Sequence, residues 1–492
     1  MRMAMKLAAM LLTLCMVVVM VIGCSGGNST PTSTDTPSAT ATPQAGEPDS
    51  GNERNIVENP DNLFVEKPMD LGGRTIKIGS PWDGDYKYED IKEETPSFTI
   101  KRLEILKSIE EDYNCKIEYV DLTNIEFGTQ EMAEQLALSK SSGDVYVDIL
   151  DHQSDFNPGT ALAREYLYPL FDIDVISSQD ESVWSSITKG SEYKGKIYGL
   201  NTELGFGMLR TMLLYNKKLA AQYGVENLYD LVRNKEWTFD KFLDVSESVY
   251  DKSGGTVSSI VTLYGMPGKL YEQFMTSNNA VPFEASPNGL INNIDSEKGL
   301  QACQFFTDLV GKGLFDMTVV ESTDEDPAFN YFINGKSMFF TAEGWMIGWV
   351  FEEMEDEFGI IPMPLGPDAT EYASLYDIGR YWSIVDNGGN MEEVGAVLIA
   401  LAKRTNDYYP DIDEYEPMTW QEDLVGSSWD EESVEMSQIM IDNMVMNQVN
   451  QLTEVPGWDE ACLKMAKGEL TPKEAIAGIS QSIQAVVDEA NK

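Results

Sequence analysis

Apolar positions along the chain switch between two spacings. In RTIKIGSPWDGD (74–85), Ile76 and Ile78 alternate with polar residues before a Gly, Pro and Asp break, which predicts a strand and the loop at its carboxyl end. In TIKRLEILKSIEEDY (99–113), Ile100, Leu103, Leu106 and Ile109 fall three apart, the spacing of an amphipathic helix. CKIEYVDL predicts a second strand, MAEQLALSKSSGD a helix closed by Ser-Gly, and VYVDILD (145–151) a third strand. Strand, helix, strand, helix, strand over this length makes an α/β unit with parallel pairing.

The same reading continues downstream. Residues 209–250 predict a strand, a helix, and a second helix opened by Thr238 as N-cap. Residues 295–310 predict a helix with an acidic start, 332–348 a strand running into a Gly-Trp loop and a helix, and 358–368 a short strand before a proline-studded loop. Thr471, Pro472 and Glu474 form a capping box with proline at the first helical position, so the chain closes on a helix.

One motif invites a different chemistry. GSEYKGKIYGL (190–200) has the glycine and lysine spacing of a phosphate-cradling loop. Such a loop needs Ser or Thr after the lysine to ligand magnesium, and Ile197 stands there. Lys196 therefore reads as a surface residue at a strand edge. Asp83 and Asp85 begin a calcium-loop pattern that fails at Lys87. The single histidine, His152, excludes a multi-histidine metal site and reads as a hydrogen-bonded loop residue. No cofactor or metal is expected.

The first residues address the chain outward. Arg2 and Lys6 precede an uncharged run of 16 residues, 7–22, short of the ~20 that a spanning helix needs and of signal-peptide length. The run meets Val21-Ile22-Gly23-Cys24, which resembles a bacterial lipoprotein signal in which Cys24 becomes the lipid-bearing N-terminus. Residues 25–55 hold no aliphatic side chain larger than alanine and no aromatic, so nothing offsets the entropy of ordering and a flexible tether is expected. The formal net charge of -47, from 82 acidic against 35 basic residues, excludes nucleic acid and anionic lipid surfaces as partners. Cys115, Cys303 and Cys462, without a CxxC pair, read as small buried hydrophobes of which one pair has the option to bridge.

Six segments together resemble the family-1 bacterial extracellular solute-binding proteins, the group that includes maltose-binding lipoproteins. They are SSGDVYVDIL, YKGKIYGLNTE, LLYNKKLAAQYGVE, WTFDKFLD, FINGKSMFFTAEGW and FGIIPMPLGPD, in the family's order. The resemblance implies an α/β fold of the periplasmic-binding-protein-like type II class, two α/β lobes joined by a multi-segment hinge. Carried over, residues 1–23 are the signal peptide and 24–69 the lipidated cysteine and tether. Lobe 1 holds 70–203 plus 376–410, and lobe 2 holds 204–375 plus 411–492.

The implied activity is capture of a carbohydrate between the lobes, without bond chemistry, and delivery to the permease subunits of an ABC importer. The protein would be a monomer at the outer face of the cell membrane, touching it only through its lipid. A sugar site needs aromatic plates beside carboxylates and amides that pair adjacent hydroxyls. The candidates are Trp345, Trp82, Tyr381 and Trp382 with Asp83, Asp85, Asp151, Gln153, Glu343 and Arg380. Trp345 leads, because its Gly-Trp loop matches the place where the family stacks a sugar. If strand alternation holds, only one of Tyr381 and Trp382 faces the cleft. Asp83 and Asp85 are either cleft groups or solvated turn residues. Two alternatives are a secreted carbohydrate hydrolase, for which no carboxylate pair stands out, and a surface sensor or adhesin that kept the binding fold.

Overall fold

The computed structural model describes residues 62–80, 97–122, 130–153, 166–184, 188, 191–193, 195–201, 209, 211–262, 267–286, 289–320, 327–376, 380–407, 430–446 and 455–490. All of them lie in one compact unit, Asn55–Lys492. Cys24, tether residues 25–61 and Trp82, Asp83 and Asp85 lie outside the described residues, whereas 62–69, expected to belong to the tether, are packed into the folded unit: Phe64 is buried in the first-sheet core and the Asn62 amide donates to Asp407.

Alternation builds the first sheet. In β1 (Thr75–Ser80), Ile76 and Ile78 are fully buried. It pairs in parallel with β2 (Lys116–Asp121) on one side and β3 (Ile149–Gln153) on the other. A later segment, β14 (Arg380–Val385), adds to β3 antiparallel, and β4 (Leu167–Tyr168) closes the order β2-β1-β3-β14-β4. Helices α1 (Ser97–Tyr113), α3 (Asp174–Ser177) and α11 (Met391–Asn406) cover one face, burying Leu103, Ile109, Ile149, Ile384 and Val394. Helix α2 (Gln130–Ser142) contributes Met132 and Leu136 to a second core with Leu150 and Val385. With both faces covered, the inner strands carry little polar surface.

The third strand starts later than its apolar run suggests, at Ile149 rather than Val145. Its approach is held by a side chain: the Asp148 carboxylate accepts the Lys77 amide at 2.9 Å, while the Asp148 amide donates to the Lys77 carbonyl at 2.8 Å. A ladder donor is thus taken by a carboxylate.

The second sheet, β12-β7-β11-β8, is mixed. β7 (Met212–Asn216) runs antiparallel to β11 (Ser337–Ala342) and β12 (Phe358–Ile361), and β11 pairs in parallel with β8 (Ser258–Thr262). Around it lie α4 (Lys217–Tyr223), α5 (Leu228–Arg233), α6 (Phe239–Lys252), α7 (Pro267–Ser277), α8 (Glu297–Gly311), α9 (Pro327–Ile333), α10 (Ile347–Glu353) and α12 (Glu431–Asp442). The closing helices α13 (Trp458–Ala466), α14 (Pro472–Gly478) and α15 (Ser480–Ala490) pack into the same core, which is rich in aromatics: Trp237, Phe242, Phe274, Phe306 and Phe339. Thr238 caps α6 through the Lys241 amide, and Thr471 with Glu474 closes a reciprocal capping box on α14.

Short pairings complete the fold: β5 (Glu192–Tyr193) with β6 (Lys196–Ile197), β9 (Phe283–Ser286) with β10 (Gly289–Asn292), and β13 (Ser374–Tyr376) with β15 (Met444–Met446). Lys196 stands at the edge of its hairpin with Nζ 2.6 Å from Asp172, a surface ion pair rather than a phosphate anchor. Cys115, Cys303 and Cys462 are free and buried, and burial pushes the Cys303 thiol up to about 12, which keeps it an inert hydrophobe.

Candidate functional site

The two sheets approach one another through short crossing segments. Leu200 and Trp382 exchange both backbone hydrogen bonds at 2.9 Å, tying the chain leaving the first sheet to β14. Next to them the Asn201 amide donates to the Tyr376 hydroxyl at 2.9 Å, and the Ser374 hydroxyl donates to the Thr211 carbonyl at 2.8 Å. β13 and β15 lie alongside in parallel. Three stretches, near 200, 375 and 445, therefore meet in one place.

On the first sheet, Asp151 is the middle residue of β3, followed by the buried His152. Asp151 is fully buried, accepts from the Ser80 hydroxyl at 3.0 Å, and has the Arg102 guanidinium 3.9 Å away. Ser80 is the last residue of β1, so the carboxyl ends of two parallel strands meet at this carboxylate, where ligands collect in α/β sheets. Register sets Trp382 opposite Asp151, Tyr381 opposite His152 and Arg380 opposite Gln153.

Alternation separates the two aromatics of β14, as the spacing requires. Trp382 packs in the core of the first sheet with Phe64, Leu200 and Trp184. Tyr381 points to the other face, where it clusters with Tyr376 and Met444, donates to the Met446 sulfur at 3.1 Å and stacks 6.0 Å from His152. Gly199 is required there, since a Cβ on it would sit 2.6 Å from the Tyr381 ring. His152 is a buried strand residue rather than a loop residue, with Nε2 2.9 Å from the Ser383 hydroxyl.

On the second sheet, β11 ends at Ala342 and Glu343 opens the one-turn helix Gly344–Met346. Glu343 is buried, and its carboxylate lies 3.4 Å from the ammonium of Lys269, in the first turn of α7. Trp345 sits in that single turn. Its side chain, with those of Gln153 and Arg380, lies outside the described part. Four residues on, Trp349 of α10 is 54% exposed, whereas Trp184, Trp237, Trp382 and Trp458 are buried. Neither Lys269 nor Trp349 stands out in the sequence, because a lysine early in a helix and a tryptophan four residues past another both read as ordinary surface or core.

The sequence pattern of the bacterial extracellular solute-binding proteins matches residues 92–407. The chain belongs to that family. Solved structures agree on the fold. The cyclic α-maltosyl-1,6-maltose binding protein of Arthrobacter globiformis superposes with a TM-score of 0.60 at 17% identity, over 85% of this chain and 99% of that one. A cyclo/maltodextrin-binding protein complexed with maltotetraose gives 0.57 at 16%, over 84% and 97%. UgpB of Mycobacterium tuberculosis, in complex with glycerophosphocholine, gives 0.54 at 14%, over 85% and 99%. No curated protein matches the sequence closely.

This solute-binding protein thus has the type II architecture of two α/β lobes, one on each sheet. Membership of a family of extracellular binding proteins makes it a binder and not a hydrolase. Among the described residues no helix is long and apolar enough to cross a membrane.

Proposed function

We propose that this solute-binding protein captures a saccharide between its lobes and hands it to the permease subunits of an ABC importer, as a monomer held to the outer membrane face by lipid on Cys24. The observation that carries the reading is the pair of buried carboxylates, Asp151 beside the end of β1 on the first sheet and Glu343 just past β11 on the second, with hinge segments between the sheets. Carboxylates so placed accept from ring hydroxyls, and closure of the lobes shifts toward the form in which both sides make contact. The maltotetraose and cyclic-maltose ligands of two structural neighbours favour an oligosaccharide.

In this reading lobe 1 holds 70–203 plus 376–410 and lobe 2 holds 204–375 plus 411–492. Trp345 and Trp82 are the stacking plates, and Asp83, Asp85, Asp151, Gln153, Glu343 and Arg380 are the hydroxyl partners. Tyr381 shapes the hinge side of the cleft, and Trp382 supports it from the core. A thermal-shift panel on the full chain in mild detergent tests the reading. A tight saccharide at about 100 times its Kd adds about 2.7 kcal/mol to stability. A panel in which no sugar raises the midpoint, while a glycerophosphodiester or a peptide does, removes the saccharide.

A further inference from the structure

Three cysteines lie among the described residues, and their spacing alone does not say which two are able to pair. The fold sorts them. Cys115 belongs to the core of the first sheet, with Ile76, Ile149 and Ile384, whereas Cys303 and Cys462 share the aromatic core of the second. One pairing survives.

Helices α7, α8 and α13 pack on one another in that core. α13 starts against the start of α7: a Cβ on Gly268 would sit 3.1 Å from both the Trp458 indole nitrogen and the Asp459 carboxylate. Cys462 is one turn further along α13, and Tyr271 and Glu272 are one turn further along α7, so Cys462 comes level with them. From the other side Tyr271 meets α8, its hydroxyl 2.9 Å from the Thr307 hydroxyl and its ring 4.7 Å from Phe306. Cys303 precedes Thr307 by four residues and shares its stripe. Both sulfurs are thus brought to the Tyr271 side chain, from two different helices. The electrostatics agree: burial first, and then Cys303, Asp459 and Glu272, hold the Cys462 thiol well above its ordinary value.

We propose that Cys303 and Cys462 are a disulfide site, closed by exchange with an external disulfide while the exported chain folds, and that the bond fastens the closing helices to α8. Membership of an extracellular family puts folding where thiols oxidise. The oxidant is a disulfide carried by a small molecule or an enzyme. One cysteine thiolate attacks it and releases a thiol; the other attacks the mixed disulfide and releases a second thiol. The protein loses two protons and two electrons, and the external disulfide takes up both. Timing follows from burial. The structure holds the pair as free thiols, fully buried, with Cys303 pushed up to about 12. In the finished core neither sulfur forms a thiolate or meets an oxidant, so the bond closes before the core does. It would join positions about 160 residues apart, and long loops restrict the unfolded chain most.

The test uses the full chain in mild detergent, both as isolated from cells quenched with iodoacetamide and after refolding from urea in a mixture of glutathione and glutathione disulfide. Tryptic mass spectrometry without reductant is expected to find peptide 299–312 joined to the peptide that carries Cys462, with Cys115 alkylated. Protein refolded in dithiothreitol instead is expected to melt roughly 5–10 °C lower than the bridged protein. Cys303→Ala and Cys462→Ala should each melt alike after either refolding. The link in either sample carries the pairing. Alkylation of both cysteines in both samples, or a link from Cys115 to either one, overturns it. A bridged protein that melts no higher than its dithiol form overturns the fastening role.

Discussion

The side-chain amide of Asn201 donates to the hydroxyl of Tyr376 across 2.9 Å, with both residues buried. The two belong to different crossing segments, so this hydrogen bond helps to tie the chain leaving the first sheet to the chain returning to it. Leu200 and Trp382 repeat the tie in backbone. Hinge motion that opens the lobes must turn about this knot or strain it.

Tyr376→Phe removes the hydroxyl and little else. Loss of the buried hydrogen bond to Asn201 is expected to cost at least about 1 kcal/mol of stability in urea unfolding. It also loosens the crossing, so small-angle scattering of the empty variant should show a larger radius of gyration than wild type. An unchanged radius together with unchanged stability would mean that the knot does not set the resting angle.

How far such features can be read ahead depends on whether they are local. Ile76 and Ile78, Thr238, and the box of Thr471 with Glu474 act within a few residues, and their spacing alone predicts β1 and the caps that the structure contains. The exclusion of Lys196 as a phosphate anchor is equally local, because it turns on the identity of Ile197. Asp148 was not legible: its carboxylate takes the amide of Lys77, 71 positions away, and delays β3. The burial of α7 is not legible for a related reason: Lys269, Gln273 and Thr276 have the spacing of a solvated face, yet all three are buried by tertiary packing. In the candidate site, the separation of Tyr381 from Trp382 follows from alternation, whereas the partner of Glu343 is 74 residues distant.

Arg404 anchors the start of the folded unit. Its guanidinium grips both oxygens of Glu66 at 2.7–3.2 Å and reaches Asp112 at 2.9 Å, so it joins α11, the segment before β1 and α1. The Arg404 and Glu66 side chains are 12% and 17% exposed, which limits screening. Arg404→Met leaves the partly buried Glu66 carboxylate without its cation, held by the Tyr113 hydroxyl at 3.3 Å, and is expected to destabilise the protein by about 3 kcal/mol. Adding Glu66→Gln to that variant should recover much of the loss, as read from the denaturation midpoint.

Trp349 offers a test that does not risk the fold. Its indole is 54% exposed, so Trp349→Ala should change stability by no more than about 0.5 kcal/mol. If a sugar ring beyond the first stacks on it, the variant loses about tenfold in affinity for maltotetraose and keeps its affinity for a monosaccharide. Equal loss for both would place Trp349 at the first ring, and no loss for either would place it outside the site.

Asp430 sets an acid limit on stability. Its carboxylate caps α12 by accepting the Ser433 amide at 2.8 Å, takes the Lys217 ammonium at 2.9 Å, and accepts from the Ser433 hydroxyl at 2.8 Å. Burial pushes its pKa up, but these donors together outweigh burial and hold it below the ordinary 3.8. A carboxyl whose folded value is depressed binds its proton more readily in the unfolded chain. Its contribution is therefore complete above the unfolded value near 4 and is lost as pH falls through the folded one. Asp430→Asn keeps an N-cap acceptor but removes the charge, so at pH 7 the variant should be roughly 1 kcal/mol less stable. Between pH 4 and the folded value below it the two proteins should converge, because protonation progressively takes from wild type what the substitution removed. Urea midpoints measured from pH 7 to about pH 2 check this, and a gap between wild type and variant that stays constant over the whole range would show that the Lys217 pair adds nothing to the fold.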